Sequence, residues 1–312
     1  MDHGPLITVA DPGAIVSSAE HRRGLFLTAA GGMLYTFDIP LLRLAKADPS
    51  TLIFARGILL LVAITILWIA INRYRKSRTP FINGLAGVTV AVTSILANMM
   101  FLTAVNRTTA ANLVFILALN PVFCAVFAWL FLREKMHRWT WAAIFLAFAG
   151  VGVIVWDGLK AGTYVGDILA VGVAMCMAIA LTVVRKTRKN LITSLAIGSL
   201  ASALCVSFWA EPASLPLTSW GWIAINGLIV VPLGAGLIAI GPRYLPAPEV
   251  AMFFLLDVVF TPVWMWLIFH ELPTFRAFIG GLIVFLTLLA HSIWRYVSSK
   301  PGGNIRSPLL RR

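Results

Sequence analysis

Charged residues are scarce in this sequence. Asp, Glu, Lys and Arg account for 12% of the 312 residues, whereas a soluble domain holds about a quarter. Acidic residues are the scarcer kind, with 12 Asp and Glu against 25 Lys and Arg. The basic residues lie mainly in short segments between apolar runs, a distribution that favours anchoring on anionic lipid over binding of nucleic acid. The shortage of charge excludes an ordinary soluble domain.

Residue patterns that bind metals or catalyse reactions are also missing. The three cysteines, Cys124, Cys176 and Cys205, are each embedded in an apolar run and form no CxxC pair, so we interpret them as packing residues. The five histidines are scattered, and the sequence contains no HExxH, GxSxG or P-loop motif. We therefore expect no catalytic residue, no metal site and no cofactor.

Long apolar runs, in contrast, are abundant. Hydrophobic residues make up 60% of the chain, and about 20 of them in sequence suffice for a helix to cross a membrane. The runs predict an all-α integral membrane protein with ten transmembrane helices, preceded by a tail over residues 1–21 that lacks the apolar core of a signal peptide. The ten predicted spans cover residues 24–42, 50–71, 82–105, 110–132, 139–156, 164–184, 191–209, 220–240, 250–269 and 276–294.

Two parts of the chain repeat each other. Residues 101–150 align without a gap on residues 238–287, and a Trp-Leu-x-x-x-Glu pattern occurs at 129–134 and again at 266–271. Each repeat contains five spans, an odd number, so the two homologous halves have opposite orientations in the membrane. Inverted repeats are typical of transporters, in which the substrate site lies near the midplane between the halves.

The distribution of basic residues predicts the orientation. Nineteen of the 25 Lys and Arg lie on the side of the membrane that holds both termini, and five lie on the other side. Because segments rich in Lys and Arg stay in the cytoplasm, we expect both termini to be cytoplasmic and the protein to reside in the inner membrane.

The repeated segments resemble the drug/metabolite transporter superfamily, and within it the EamA-type exporters. The residues that carry this resemblance are Asn-Pro-Val-Phe at 120–123, the segment 129–134 ending in Glu134, Gly150, and the second copy at 241–249, 256–262 and Glu271. The second copy departs from the first in having Val258 where Pro121 stands, with Pro262 one turn later.

The resemblance implies two EamA repeats over residues 22–157 and 162–296, followed by a basic tail over 297–312. Spans 1, 3, 4, 6, 8 and 9 would line a central cavity, spans 5 and 10 would be peripheral, and the halves would rock in alternating access. The best-characterised bacterial relatives that the chain looks like are YddG-type exporters of aromatic and other amino acids. The expected partners are the lipid bilayer and a small-molecule substrate, and we expect a monomer. The alternatives are a multidrug exporter of cationic compounds and a channel-like facilitator.

Asp257 is the most informative single residue. It lies about eight residues past Glu249, hence ~12 Å along the helix and close to the middle of the hydrocarbon layer. An ionisable group at that depth should face protein or a wet cavity. Its equivalent in the first repeat is Asn120. Either both residues contact substrate, with Asp257 a candidate for proton exchange, or Asp257 only joins neighbouring helices.

Asp38 and Arg56 are two further charged residues inside spans. Both are predicted near the same end of spans 1 and 2, so they either form an ion pair, with a possible gating role, or each extends to its own membrane surface.

The remaining candidates are amides and aromatic residues within the presumed cavity spans. They could bind an amphipathic substrate, whereas hydrogen bonding and packing between helices are the alternative roles. These candidate substrate-binding residues are Asn98, Asn112, Asn226, Tyr35, Phe101 and Phe253.

Proline and glycine residues predict weak points in three spans. Pro232, Gly234 and Gly236 should interrupt span 8, and Pro121 and Pro262 should kink spans 4 and 9. We expect Glu134 and Glu271, which follow spans 4 and 9, to bond the short turns that lead into spans 5 and 10.

Overall fold

The computed structural model describes residues 18–75, 84–133, 136–187, 192–240, 244–245, 253 and 255–299, and no β-strand occurs in this part of the chain. A 3₁₀ turn covers Pro212–Ser214 and a π-helix covers Ile225–Val230. The α-helices are α1 (Ser18–Tyr35), α2 (Asp38–Leu44), α3 (Pro49–Arg75), α4 (Gly84–Arg107), α5 (Ala110–Leu117), α6 (Asn120–Leu132), α7 (Arg138–Ala161), α8 (Tyr164–Thr187), α9 (Ile192–Val206), α10 (Leu217–Ala224), α11 (Val231–Ile240), α12 (Leu255–Phe269) and α13 (Phe275–Ser299).

These helices confirm the all-α membrane fold. In the described part of the chain, eight helical segments are long and apolar enough to cross a bilayer, and two shorter apolar helices, Ser194–Val206 and Leu255–Phe269, occupy the predicted spans 7 and 9. The eight segments are Arg22–Leu44, Pro49–Ala70, Gly84–Arg107, Ala110–Phe131, Arg138–Leu159, Tyr164–Val184, Leu217–Ile238 and Phe275–Trp294.

Helix packing follows a two-fold relation between the halves. Span 3 packs along span 6 (α4 on α8), and span 8 packs along span 1 (α11 on α1). Span 8 is the equivalent of span 3 in the second repeat, and span 6 is the equivalent of span 1, so the two pairs are the same contact seen from the two halves. Span 2 also packs on its own equivalent, span 7, and span 5 on span 10. This pairing is the one that an inverted five-helix repeat produces.

Small residues allow spans 5 and 10 to approach closely. A Cβ atom added to Gly150 would lie 2.8 Å from the carbonyl oxygen of Gly280, and one added to Gly280 would lie 2.6 Å from that of Gly150. The two backbones therefore touch, as is typical where glycines face each other in membrane helices. On the outer faces of this helix pair, Phe145 is 70% exposed and Phe278 53% exposed, which suits contact with lipid.

Three prolines explain three irregular spans. A helical proline has no N–H to donate to the carbonyl four residues earlier. Span 1 turns at residues 36–37, four residues before Pro40, and span 4 turns at 118–119, just after the carbonyl that Pro121 leaves unpaired. In span 8 the residue four before Pro232 lies inside the π-helix.

Span 8 was expected to be interrupted, but it stays helical because the wider turns of the π-helix continue directly into α11. Its glycines remain inside α11. Pro262 likewise lies inside α12 without ending that helix.

Equivalent residues end spans 4 and 9. Arg133 and His270, which are 137 positions apart, both have φ of +53°. A left-handed residue after the last helical turn is a common way to end a helix, although it is usually glycine. The repeat seen in the sequence thus extends to an unusual backbone conformation.

Candidate functional site

The break in span 1 leaves a carbonyl group without its helical partner. The oxygen of Thr36 would accept a hydrogen bond from residue 40, but Pro40 has no N–H. Thr36 is completely buried, so protein has to supply the donor. The hydroxyl of Thr261, on α12, lies 3.1 Å from this oxygen and supplies it.

A tryptophan from the same helix holds the other side of the break. Trp264 donates its indole N–H to the hydroxyl oxygen of Thr36 at 2.9 Å, and its ring stacks on Phe37 with 4.8 Å between centroids. Span 9 therefore fixes the conformation of span 1 at its break.

The predicted ion pair between Asp38 and Arg56 is present immediately after the break. Arg56 Nη2 lies 3.0 and 3.1 Å from the two carboxylate oxygens, and the side chains of Arg56 and Asp38 are only 7% and 14% exposed. The alternative, in which each residue extends to the membrane surface, is wrong. Arg56 is seven residues into α3, which places it ~10 Å along that helix.

The π-helix of span 8 adds an amide to this pair. Asn226 is fully buried, and its Nδ2 donates to Asp38 Oδ1 at 2.6 Å and to the Asp38 carbonyl at 3.1 Å. The guanidinium carbon of Arg56 lies 5.2 Å from the centroid of the Phe101 ring, on span 3, within the range of a cation–π contact. The structure therefore brings together three of the predicted residues around Asp38.

Two polar atoms in this group have no partner. Within the described residues, Arg56 Nε and Asn226 Oδ1 are both buried and make no hydrogen bond. One is a donor and the other an acceptor. Arg56 and Asn226 both bond Asp38, so the unpaired donor and the unpaired acceptor lie on two residues that meet at the same carboxylate. Unpaired buried groups are uncommon in folded proteins and call for an explanation.

Asp257 lies on α12, one turn before the Thr261 that bonds the break in span 1. Its Oδ1 is 2.5 Å from the Thr261 hydroxyl, and it interacts electrostatically with Asp38 and Tyr35. Tyr35 packs with Phe253 in a small apolar cluster around Ile238. We call this group the break site: Tyr35, Thr36, Asp38, Arg56, Phe101, Asn226, Phe253, Asp257, Thr261 and Trp264.

Gly234 and Gly236 have different surroundings. A Cβ atom on Gly234 would lie 3.0 Å from the ring of Tyr35, whereas nothing lies within 4 Å of one on Gly236. Close packing, the alternative role for these glycines, therefore applies to Gly234.

The other predicted amides lie outside the break site. Asn120 Nδ2 donates to the carbonyl of Ala174 on span 6 at 3.3 Å and its Oδ1 accepts from Cys124 at 3.7 Å. Asn112 donates to Asp167 at 3.3 Å. Asn98 is half-buried on α4 and makes no hydrogen bond to the described residues.

A second polar cluster lies where spans 1, 3, 4, 6 and 9 end or begin. Asp167 Oδ1 accepts hydrogen bonds from the Thr108 hydroxyl at 2.5 Å and from Asn112. Arg43 donates to the Thr108 carbonyl at 2.5 Å and lies 3.6 Å from Glu271. We call this cluster, defined by Arg43, Thr108, Asn112, Asp167 and Glu271, the end network.

Glu271 does not bond the turn into span 10. Its Oε1 accepts the backbone N–H of Ala110 at 3.0 Å, so it caps the start of span 4 in the other repeat. The expectation was wrong because the turn after α12 directs the side chain across the interface between the halves. Glu134, its equivalent, lies outside the described residues.

Sequence reasoning missed Asp167, Arg43, Thr36 and Thr261. The available signals were an acidic residue in the first turn of span 6 and a proline four residues after Thr36. A hollow of about 440 Å³, lined by Ala149, Gly152, Val153, Trp156 and Arg276, lies between α7 and α13 and contains no residue of the break site.

Comparison with known proteins agrees with this architecture. The EamA-like transporter family matches residues 22–156 and again residues 164–292. A solved crystal structure has the same fold, with a TM-score of 0.61, 16% sequence identity, and coverage of 89% of this chain and 99% of that chain.

Three curated relatives match part of the sequence. Solute carrier family 35 member G1 is 27% identical over 202 residues in Mus musculus, and 28% identical over 210 residues in Homo sapiens. These alignments cover 57% and 58% of this chain, and only 53% and 55% of the two relatives. The uncharacterized transporter YyaM of Bacillus subtilis is 25% identical over 209 residues, which cover 62% of this chain and 68% of YyaM.

Proposed function

Since this chain belongs to the EamA-like transporter family, and is thus a membrane transporter, we propose that it is a monomeric secondary exporter of small amphipathic metabolites. Amino acids, including aromatic ones as in YddG-type exporters, are the leading substrates. The transport unit comprises the repeats 22–157 and 162–296, without the tails 1–21 and 297–312.

The unpaired groups of the break site carry this proposal. An α-amino acid has a carboxylate, which accepts hydrogen bonds, and an ammonium group, which donates them. Arg56 Nε–H offers a donor and Asn226 Oδ1 offers an acceptor, so the two match both ends of the zwitterion. Phe101 and Tyr35 supply aromatic surface beside them. Asp38 neutralises the charge of Arg56, which leaves a site suited to a ligand without net charge.

Alternating access explains how a ligand would reach atoms that are shielded here. Arg56 belongs to the first repeat and Asn226 to the second, and both contact the segment just after the break in span 1. Rocking of one repeat against the other would separate these residues and open the site to one side of the membrane.

Uptake into inside-out membrane vesicles tests the proposal. We expect saturable uptake of radiolabelled phenylalanine and other amino acids. Arg56→Lys keeps the charge opposite Asp38 but removes the Nε–H, so uptake per folded molecule should fall at least tenfold. Arg276→Lys, at a half-exposed arginine outside the break site, is the matched control and should transport normally.

Two results would replace this function by the alternatives. Uptake of cationic drugs without any uptake of amino acids would indicate a multidrug exporter. Flux that never saturates with concentration would indicate a channel-like facilitator.

The orientation, with both termini in the cytoplasm and the protein in the inner membrane, has its own test. A cysteine at Lys160 should react with a membrane-impermeant thiol reagent in intact cells, whereas one at Ser77 should not. Labelling at Ser77 in sealed cells would reverse the orientation.

A further inference from the structure

The break in span 1 has few hydrogen-bond donors. The Thr36 hydroxyl donates to the Met33 carbonyl at 2.7 Å and accepts from Trp264. Its own hydrogen is therefore used, and the Thr36 carbonyl depends on the Thr261 hydroxyl alone, because Pro40 has no N–H to offer.

The Thr261 hydroxyl has one hydrogen and two acceptor neighbours. If that hydrogen points to the Thr36 carbonyl, an ionised Asp257 would face the bare oxygen of Thr261, and two acceptors would meet. If Asp257 is protonated, it donates to Thr261, and Thr261 donates to Thr36. Thr36 and Thr261 are both completely buried. The protonated form gives the Thr36 carbonyl and the Thr261 oxygen a donor each, whereas the ionised form leaves either the Thr36 carbonyl or the carboxylate without the Thr261 hydrogen.

The charged groups on the neighbouring elements do not supply Asp257 with a partner. Arg56 is already engaged with Asp38. In the described residues, no cation forms an ion pair with Asp257. Among the side chains that the structure describes, the titratable groups on the elements packed against α12 and in the turn after it are Tyr35, Asp38, Arg43, Glu271, Arg276 and His291, with Arg22 and Arg23 at the far end of α1. The described part of α5 carries none.

We propose that Asp257 binds the coupling proton of transport, and that the bond from Thr261 to the Thr36 carbonyl passes its protonation state to the break in span 1. On release, the O–H bond of Asp257 breaks, the proton goes to water, and the electron pair stays on the carboxylate. The Thr261 hydroxyl then turns its hydrogen to that carboxylate. The Thr36 carbonyl loses its donor, so span 1 is released from span 9 at this bond, while the Trp264 contacts with Thr36 and Phe37 remain.

This inference rests on the proposed function for its use, since a proton moving inward would drive substrate outward. It does not depend on the substrate's identity. The proton site and the release of span 1 can therefore be measured without substrate, whereas the vesicle assay with Arg56→Lys tests the exported compound.

Infrared difference spectroscopy of the full-length protein in lipid vesicles measures the proton site. We expect a protonated-carboxyl band that disappears as the pH is raised and that is absent in Asp257→Asn. If that variant folds poorly, Asp257→Glu should shift the position and midpoint of the band. A band that neither variant changes would overturn the proposal.

Spin labels measure the release of span 1. The labels replace Phe26 on α1 and Leu267 on α12, both exposed, in a cysteine-free background. The distance between them should change with pH at the midpoint of the carboxyl band. Thr261→Val should keep the band and lose the distance change. Thr182→Val removes a buried hydroxyl that bonds only its own helix and should keep both. A distance change that persists in Thr261→Val would show that Thr261 is no relay.

Discussion

The break site and the end network each hold a carboxylate among packed helices, Asp257 half-buried and Asp167 fully buried, but the two carboxylates receive different hydrogen bonds. In the end network, Thr108 and Asn112 both donate to Asp167 Oδ1, and neither side chain donates to another acceptor among the described residues, although Asp167 Oδ2 is buried without a partner there. In the break site, Asp257 shares one hydroxyl with a backbone carbonyl. The two carboxylates therefore differ mainly in the hydrogen-bond donors available to each. We expect the carboxylate with two donors of its own to be fixed and structural, and the one that shares a donor to exchange a proton.

The largest effect should come from breaking the ion pair of the break site. Arg56→Ala leaves Asp38 charged and buried, so we expect the free energy of unfolding to fall by about 3–5 kcal/mol. Arg43→Ala breaks the partly exposed pair of the end network and should cost less. Unfolding in lipid–detergent micelles measures both. Adding Asp38→Asn to Arg56→Ala should restore part of the loss, and equal losses in the two arginine variants would contradict the comparison.

The same substitution at the two carboxylates tests the difference directly. Asp167→Ala leaves the Thr108 hydroxyl and the Asn112 amide without their acceptor, which should cost about 1–3 kcal/mol. Asp257→Ala leaves Thr261 bonded to Thr36 and should cost less than about 1 kcal/mol. The unfolding free energies of the purified variants give the answer, and a reversed order would show that Asp257 is the structural residue.

A smaller effect should appear at the start of the helix that carries Arg56. Asp48 precedes α3 and accepts the N–H of Thr51 at 3.1 Å. Partial burial raises its pKa, but hydrogen bonds from Thr51 and neighbouring backbone outweigh burial and leave the pKa below the ordinary value. Asp48→Ala should cost about 1 kcal/mol.

The pH dependence at Asp48 has a definite sign. Because the folded pKa is lowered, the stability it contributes is complete above the unfolded value of about 3.9 and is lost as the pH falls below it. Asp48→Asn keeps the cap but cannot titrate, so its unfolding curves should lose this part of the acid dependence between about pH 5 and pH 3.

The smallest effect should come from Glu271→Gln. The amide oxygen still accepts the Ala110 N–H, and only the pairing with Arg43 at 3.6 Å weakens. Partly exposed pairs are worth about 0–1 kcal/mol. Thermal unfolding should show a small decrease that high salt removes. A loss as large as that of Asp167→Ala would mean that the end network depends on charge.

Much of the break site was predictable because its members are unusual where they stand. A charged or amide side chain in an apolar span attracts attention by composition alone, which singled out Asp38, Arg56, Asn226 and Asp257. Thr36 and Thr261 escaped notice because threonine is common in membrane helices, where its hydroxyl usually bonds its own helix. Their importance arises only after Pro40 has freed a carbonyl.

By itself, the sequence determined the apolar spans, the repeat and the positions where prolines disturb the helices, because each of these depends on residues close together in the chain. Only the tertiary structure decided which polar groups meet. Ala110 and Glu271 are 161 residues apart, Asp38 and Asn226 are 188 apart, and Thr36 and Thr261 are 225 apart. Such contacts depend on how each helix is rotated and packed against its neighbours, which the order of residues along one helix does not specify.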